Sequence, residues 1–204
     1  VHRHLPRRRT DARPGAPRGG LRRPGLRARS LRPAHRAGAP HPGLSCVLGG
    51  DPGSGSAIDL PADFSQAAWV RFDALPSSGS ARNPRILQKS SSTSAAGSYY
   101  LSVRTSSAPG VLSLRLKFGG TTFTLDGVRT LTTNRWYHVA AVKEGSSVRL
   151  YVDGVQDGPT FTVPAGAPDA NNDPLYLGES PSNSDGALDG AIDDVRLYDR
   201  ALTP

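Results

Sequence analysis

From about Ser56 onward the chain alternates between apolar and polar positions. Leu112, Leu114, Leu116 and Phe118 hold one parity, and Ser113, Arg115 and Lys117 hold the other. Val148, Leu150 and Val152 repeat the pattern against Arg149, Tyr151 and Asp153. A period of two marks a strand with one face on a core, because successive side chains leave the pleat on opposite sides. Gly119-Gly120 and Asp153-Gly154 separate adjacent runs and supply the residues that two-residue hairpin turns require. Residues 136–143 are apolar on both parities, as in a central strand covered on two sides. Strands are expected near 57–60, 67–74, 85–89, 99–104, 111–118, 121–126, 128–132, 136–143, 147–153, 160–163, 174–178 and 190–198. The one helical signal is a single turn at Asp199–Leu202, with Asp199 as its N-cap. Many short strands joined by Gly, Ser and Pro loops define the fold class as all-β, an antiparallel two-sheet β-sandwich or jelly roll. Trp69 and Trp136, set within apolar runs, are expected in its core, as is His138 on the parity of Trp136, Ala140 and Val142.

Composition divides the chain in two. The 204 residues carry a net +8, but residues 1–45 hold twelve Arg against the single acid Asp11. The remaining residues hold thirteen basic and sixteen acidic side chains, a balance of −3. The tail is Arg, Pro, Gly, Ala, His and Leu almost throughout, with too little apolar surface to offset its ordering entropy. It is read as a disordered basic tail or linker, as a mistranslated segment of GC-rich DNA, or as a polybasic arm for a polyanion. Its four His (His2, His4, His35, His41) lack the paired spacing of a metal site. The absence of any Met marks a fragment or a conceptual reading. Specific nucleic-acid binding by the folded part is disfavoured by its mildly acidic balance. No apolar run approaches a membrane span, and the first 45 residues lack the apolar stretch of a secretory signal. Cys46 is the only cysteine, so no intramolecular disulfide forms.

Three segments carry a resemblance beyond this texture. Residues 67–75 read AAWVRFDAL, residues 135–154 read RWYHVAAVKEGSSVRLYVDG, and residues 190–202 read GAIDDVRLYDRAL. In this order they resemble the laminin-G-like (concanavalin A-like lectin/glucanase) jelly-roll domains of bacterial extracellular proteins, over roughly residues 56–204. The resemblance implies two facing sheets with one concave face, in a carbohydrate- or protein-binding module beside a neighbouring domain of a longer chain. It also implies an extracellular or cell-surface location. Residues 46–56 depart from the opening strand of that family, which usually carries an aromatic residue there.

Candidate chemistry is sparse. Retaining glycosidases need two carboxyl groups about 5–5.5 Å apart. The chain has two Glu, Glu144 in an expected turn and Glu179 in an expected loop, and the strand run 99–104 has no acid. The domain is therefore read as a non-enzyme. Acids gather late, at Asp185, Asp189, Asp193 and Asp194, either as a solvated loop and strand face or as a calcium site, since Ca²⁺ takes six to eight hard oxygens. The resemblance places a structural calcium at Asp193, and simple parity puts Asp193 beside Val195 and Leu197, where a bare carboxylate is costly. Asp157 is expected in a turn, apart from any calcium site, so that Asp157→Asn would leave a calcium-dependent gain in stability intact. Tyr100, Arg104, Arg115, Arg149 and Tyr151 fall on outward parities and are expected to share one face, as ordinary solvated cover or as a site for an acidic or hydroxyl-rich glycan. The rim loops around Ser90–Ser98 and Glu179–Gly186 are the alternative location. Two functions follow: a non-catalytic extracellular module recognising a glycan or extracellular protein, or a structural or adhesion spacer without a small ligand.

Overall fold

A computed structural model describes residues 46–48, 58–75, 83–90, 98–105, 110–179 and 186–203. The tail at 1–45, Asp185 and most of both rim loops lie outside the described residues. Among these residues the alternation resolves into strands β1 (Cys46–Leu48), β2 (Phe64–Phe72), β3 (Arg85–Lys89), β4 (Tyr99–Val103), β5 (Val111–Phe118) and β6 (Thr121–Thr130). There follow β7 (Trp136–Glu144), β8 (Ser147–Val152), β9 (Val155–Gln156), β10 (Phe161–Thr162), β11 (Leu175–Leu177) and β12 (Gly190–Tyr198). They pair antiparallel into a front sheet, β1-β11-β3-β4-β5-β6, and a back sheet, β10-β8-β7-β2-β12, with β9 added to the free edge of β8. The all-β sandwich is thus the observed fold.

The core is the space between the sheets, filled by the parities the alternation marks. Tyr99, Leu101, Leu112, Leu114 and Leu116 from the front meet Phe64, Val70, Phe72, Val139, Val148 and Leu150 from the back. Each fully buried side chain of this size is worth about 1.5–3 kcal/mol. Ile58 and Leu60 are buried in this core, yet residues 58–60 form a turn and bend rather than the expected strand. The buried Tyr99 hydroxyl donates to the Ile58 carbonyl at 2.6 Å and holds the segment in place. The hairpin signals are realised. Gly119 and Gly120 have φ of 54° and 81°, and Asp153 and Gly154 have 54° and 79°, the doubly positive geometry that matches strand twist.

Departures from the expected elements have local causes. The two runs expected at 121–126 and 128–132 are one strand, β6. The helical turn at Asp199–Leu202 does not form. Ser65 Oγ donates to the Arg200 carbonyl at 3.0 Å and accepts the Leu202 N–H at 2.9 Å, so β2 takes the backbone groups a helical turn would use.

Three register shifts interrupt the ladders: at Arg85/Leu87 in β3, at Val111/Ser113 opposite β6, and at Asp193/Arg196 in β12. At such a bulge the side-chain parity resets.

Trp69 and Trp136 are not core residues. They stand on the outer face of the back sheet, 42% and 39% exposed. Phe64, Ala68, Val70 and Phe72 fill the inward parity of β2, and Tyr137, Val139 and Ala141 that of β7. His138 is half-buried on the same outer face, its ring edge-on to Trp69 with centroids 5.3 Å apart.

Two lysines occupy inward positions at strand ends. Lys143 is fully buried, and its ammonium donates to the carbonyls of Ala62 (2.7 Å), Gly145 (2.6 Å) and Gly166 (2.9 Å). Lys89, equally buried, donates to Asp59 Oδ1 at 2.6 Å and to the Asn171 carbonyl. Each closes an end of the sandwich by spending its charge on main-chain or carboxylate oxygens.

Candidate functional site

The outer face of the front sheet collects planar donors and phenols. Register aligns Tyr176, Gln88, Tyr100, Arg115 and Thr124 across β11, β3, β4, β5 and β6. The row behind it aligns Arg85, Ser102, Ser113 and Asp126. Arg85 is 7% exposed. Its guanidinium lies 4.0 Å from the Tyr100 ring centroid and donates to Gln88 Oε1 at 2.7 Å. Arg115 approaches the same ring at 5.4 Å and donates to Thr122 Oγ1 at 3.2 Å. Arg104 pairs with Asp126 at 2.9 Å, and Asp126 also accepts from Ser113 Oγ at 2.7 Å.

Burial pulls Arg85 below the ordinary arginine value; Tyr100 beside it raises it and Arg115 lowers it. The guanidinium keeps its charge all the same, because that ordinary value stands so far above neutrality. The face therefore offers fixed cationic forks beside aromatic surfaces, with one described carboxylate, Asp126, already engaged.

Tyr100, Arg104 and Arg115 come together on this face, as parity requires. Arg149 and Tyr151 do not join them. Both lie on β8, which pairs with β7 in the opposite sheet, so they fall on the far side of the molecule, where Arg149 is half-buried and Tyr151 is buried rather than exposed. Outward parity was legible in the strand, but sheet membership is a long-range pairing that no local pattern records. Arg149 there contacts Glu144 at 3.5 Å across the β7–β8 hairpin, and Glu144 closes β7 rather than sitting in the turn. Arg85, Gln88, Tyr176 and Asp126 were not anticipated. The β3 bulge puts Arg85 and Gln88, positions of opposite parity, on one face.

Asp193 also sits where parity misplaces it. The β12 bulge inserts Asp194 in a left-handed conformation (φ 48°), so Asp193 pairs with Trp69 on the outer face while Val195 turns into the core. Asp193 Oδ1 accepts the Asp194 N–H at 2.8 Å, and Asp194 chelates Arg196 at 2.8 and 2.7 Å, which raises that guanidinium further. No group of three or more His, Cys, Asp or Glu side chains converges among the described residues. Residues 49–57, between β1 and Ile58, lie outside them.

Asp157, just after β9, anchors an irregularity in β6. It is 3% exposed, and its Oδ1 accepts the N–H groups of Val128 (3.0 Å) and Arg129 (2.8 Å) where β6 bulges.

Comparison with known proteins agrees with this architecture. The Laminin_G_3 family model, described as the concanavalin A-like lectin/glucanases superfamily, matches residues 52–204. No curated protein sequence matches the chain. Among solved structures, the CBM40 of Ruminococcus gnavus IT-sialidase bound to α2,3-sialyllactose superposes with a TM-score of 0.61 at 15% identity, over 88% of this chain and 91% of that one. Domain 4 of AbnA, a GH43 extracellular arabinanase from Geobacillus stearothermophilus, in complex with arabinotriose, gives 0.53 at 20%, over 72% and 65%. Mouse laminin α1 domains LG4-5 give 0.50 at 20%, over 72% and 40%. This chain spans about two thirds of the arabinanase domain and less than half of the laminin pair.

Proposed function

The chain belongs to this concanavalin A-like lectin/glucanases family, and on that premise we propose that it is a non-catalytic, extracellular carbohydrate-recognition module whose front sheet binds an acidic glycan. One observation carries the reading: Arg85 and Arg115 flank the Tyr100 ring on the front face, and Arg104 on the same face pairs with Asp126. Guanidinium forks match carboxylates in planar, two-bond geometry, and phenol faces accept the apolar side of a sugar ring. A lone acid already bound to Arg104 and Ser113 supplies no acid/base pair, which supports binding without turnover. The neighbours that hold sialyllactose and arabinotriose support the module class.

The test is calorimetric titration of the full chain with α2,3-sialyllactose and with heparin fragments. The expected affinity is micromolar to millimolar, about −8 to −4 kcal/mol. Arg115→Ala and Tyr100→Ala should each weaken it severalfold, and reducing-end assays should show no cleavage. Binding that survives both changes moves the site off this face. No binding to any acidic glycan favours the structural or adhesion spacer.

A further inference from the structure

The chain has two tryptophans, and both stand on the outer face of the back sheet. Indoles gain more from burial than almost any side chain, so two of them 42% and 39% exposed on adjacent strands are unusual for a solvated surface. Register pairs Trp69 with His138 and Arg71 with Trp136, which makes the two indoles diagonal neighbours on β2 and β7. Arg71 lies 5.6 Å from the Trp136 ring, and the His138 ring meets Trp69 edge-on. The next paired positions are Ala67 and Ala140, small residues that leave the indoles standing above the sheet.

The charges around this face cancel. Arg71 pairs with Asp73 at 2.9 Å, Arg135 and Arg129 both reach Asp153 at 3.1 and 3.2 Å, and Arg196 holds Asp194 at 2.7 Å. Asp193, beside Trp69, completes four acids against four arginines. Among the described residues, the other large exposed apolar ones, Val128 and Val155, lie on β6 and β9, away from β2. Two half-exposed indoles are far less apolar surface than the roughly 800 Å² a protein partner usually covers. They are what the apolar face of a sugar ring covers, and a rim of alternating donors and acceptors with no net charge suits hydroxyl groups.

We propose that the outer face of the back sheet, centred on Trp69 and Trp136, is a second carbohydrate-binding site, for an uncharged polysaccharide. It is independent of the front face in position and in ligand charge.

Because both tryptophans lie in the site, intrinsic emission reports on it directly. The full chain is run in native gels containing soluble arabinan, xylan or mixed-linkage β-glucan, and titrated with the matching hexasaccharides while tryptophan emission is followed. Retardation by at least one polysaccharide is expected, with a blue shift or quenching on titration. Trp69→Ala and Trp136→Ala should each weaken binding about tenfold, Trp69→Phe and Trp136→Phe should retain most of it, and Val155→Ala, at an exposed apolar position outside both faces' sites, should leave it unchanged. Far-UV spectra check that each variant folds; should an alanine variant fail, the phenylalanine pair and the emission titration still decide. No retardation and no emission change with any probe overturns the proposal, as does retention that survives both alanine changes. A concentration-dependent dimer in gel filtration, abolished by Trp69→Ala, overturns it in favour of self-association.

Discussion

Gln66 puts a carboxamide on the inward parity of β2, between Ala141 and Leu197 in register, fully buried and with neither Oε1 nor Nε2 hydrogen-bonded. An unpaired buried polar group costs about 1–3 kcal/mol. Methionine has nearly the same shape without that cost, so Gln66→Met should raise stability by about 1–2 kcal/mol, read as a higher urea midpoint at unchanged slope. Lys143 presents the opposite case, a buried charge whose three protons are all accepted by carbonyls. Burial lowers its pKa from the ordinary 10.5, with Asp63 opposing in part. The unfolded chain therefore binds the proton more tightly, and the Lys143 contribution to stability rises as pH climbs from its folded value toward 10.5. Relative to Lys143→Met, the natural protein should gain melting temperature with pH across that alkaline window. A difference independent of pH would refute the assignment.

At the scale of elements, what the sequence made legible and what it hid divide cleanly. β5, β7, β8 and β12 run within a residue of their expected bounds, because alternation and turn glycines are local signals. Parity failed where a bulge reset it at Asp193, and the bulge at Arg85 built a face that alternation does not mark. It also could not say which of two apolar parities faces the core, which is how Trp69 and Trp136 were misplaced. The third bulge shows how a distant residue stabilises such an irregularity: Asp157 accepts two N–H groups that β6 withdraws from its ladder. Asp157→Ala should cost about 1–3 kcal/mol by leaving both part-buried donors without their acceptor. Gly127 is part of the same device, since a Cβ there would come within 2.0 Å of Asp157 Oδ2. Gly127→Ala should therefore destabilise by about 1–3 kcal/mol. Thermal denaturation of both variants checks this, and a loss below 0.5 kcal/mol in Asp157→Ala would show the bulge to be self-supporting.

For the whole molecule, two sheets give two outer faces of different electrical character. The front carries an excess of guanidinium groups, whereas the charges around the back cancel. Acidic probes should lose affinity for the front face as salt rises, because exposed charges are screened within about 8–10 Å at physiological ionic strength. Uncharged polysaccharides should bind the back face with little salt dependence, and titrations at low and high salt separate the two. The sandwich also has open borders. Among the described residues β6, at ten residues the longest strand, forms one border of the front sheet. A long strand with unpaired main-chain groups along one side is a template on which a second molecule can add a strand. Asp157 occupies two of those groups, and the bulge they form bends the border out of a straight edge. The carboxylate that steadies the fold is thereby also a guard against edge-to-edge aggregation, and chains lacking it should self-associate even at temperatures where they remain folded.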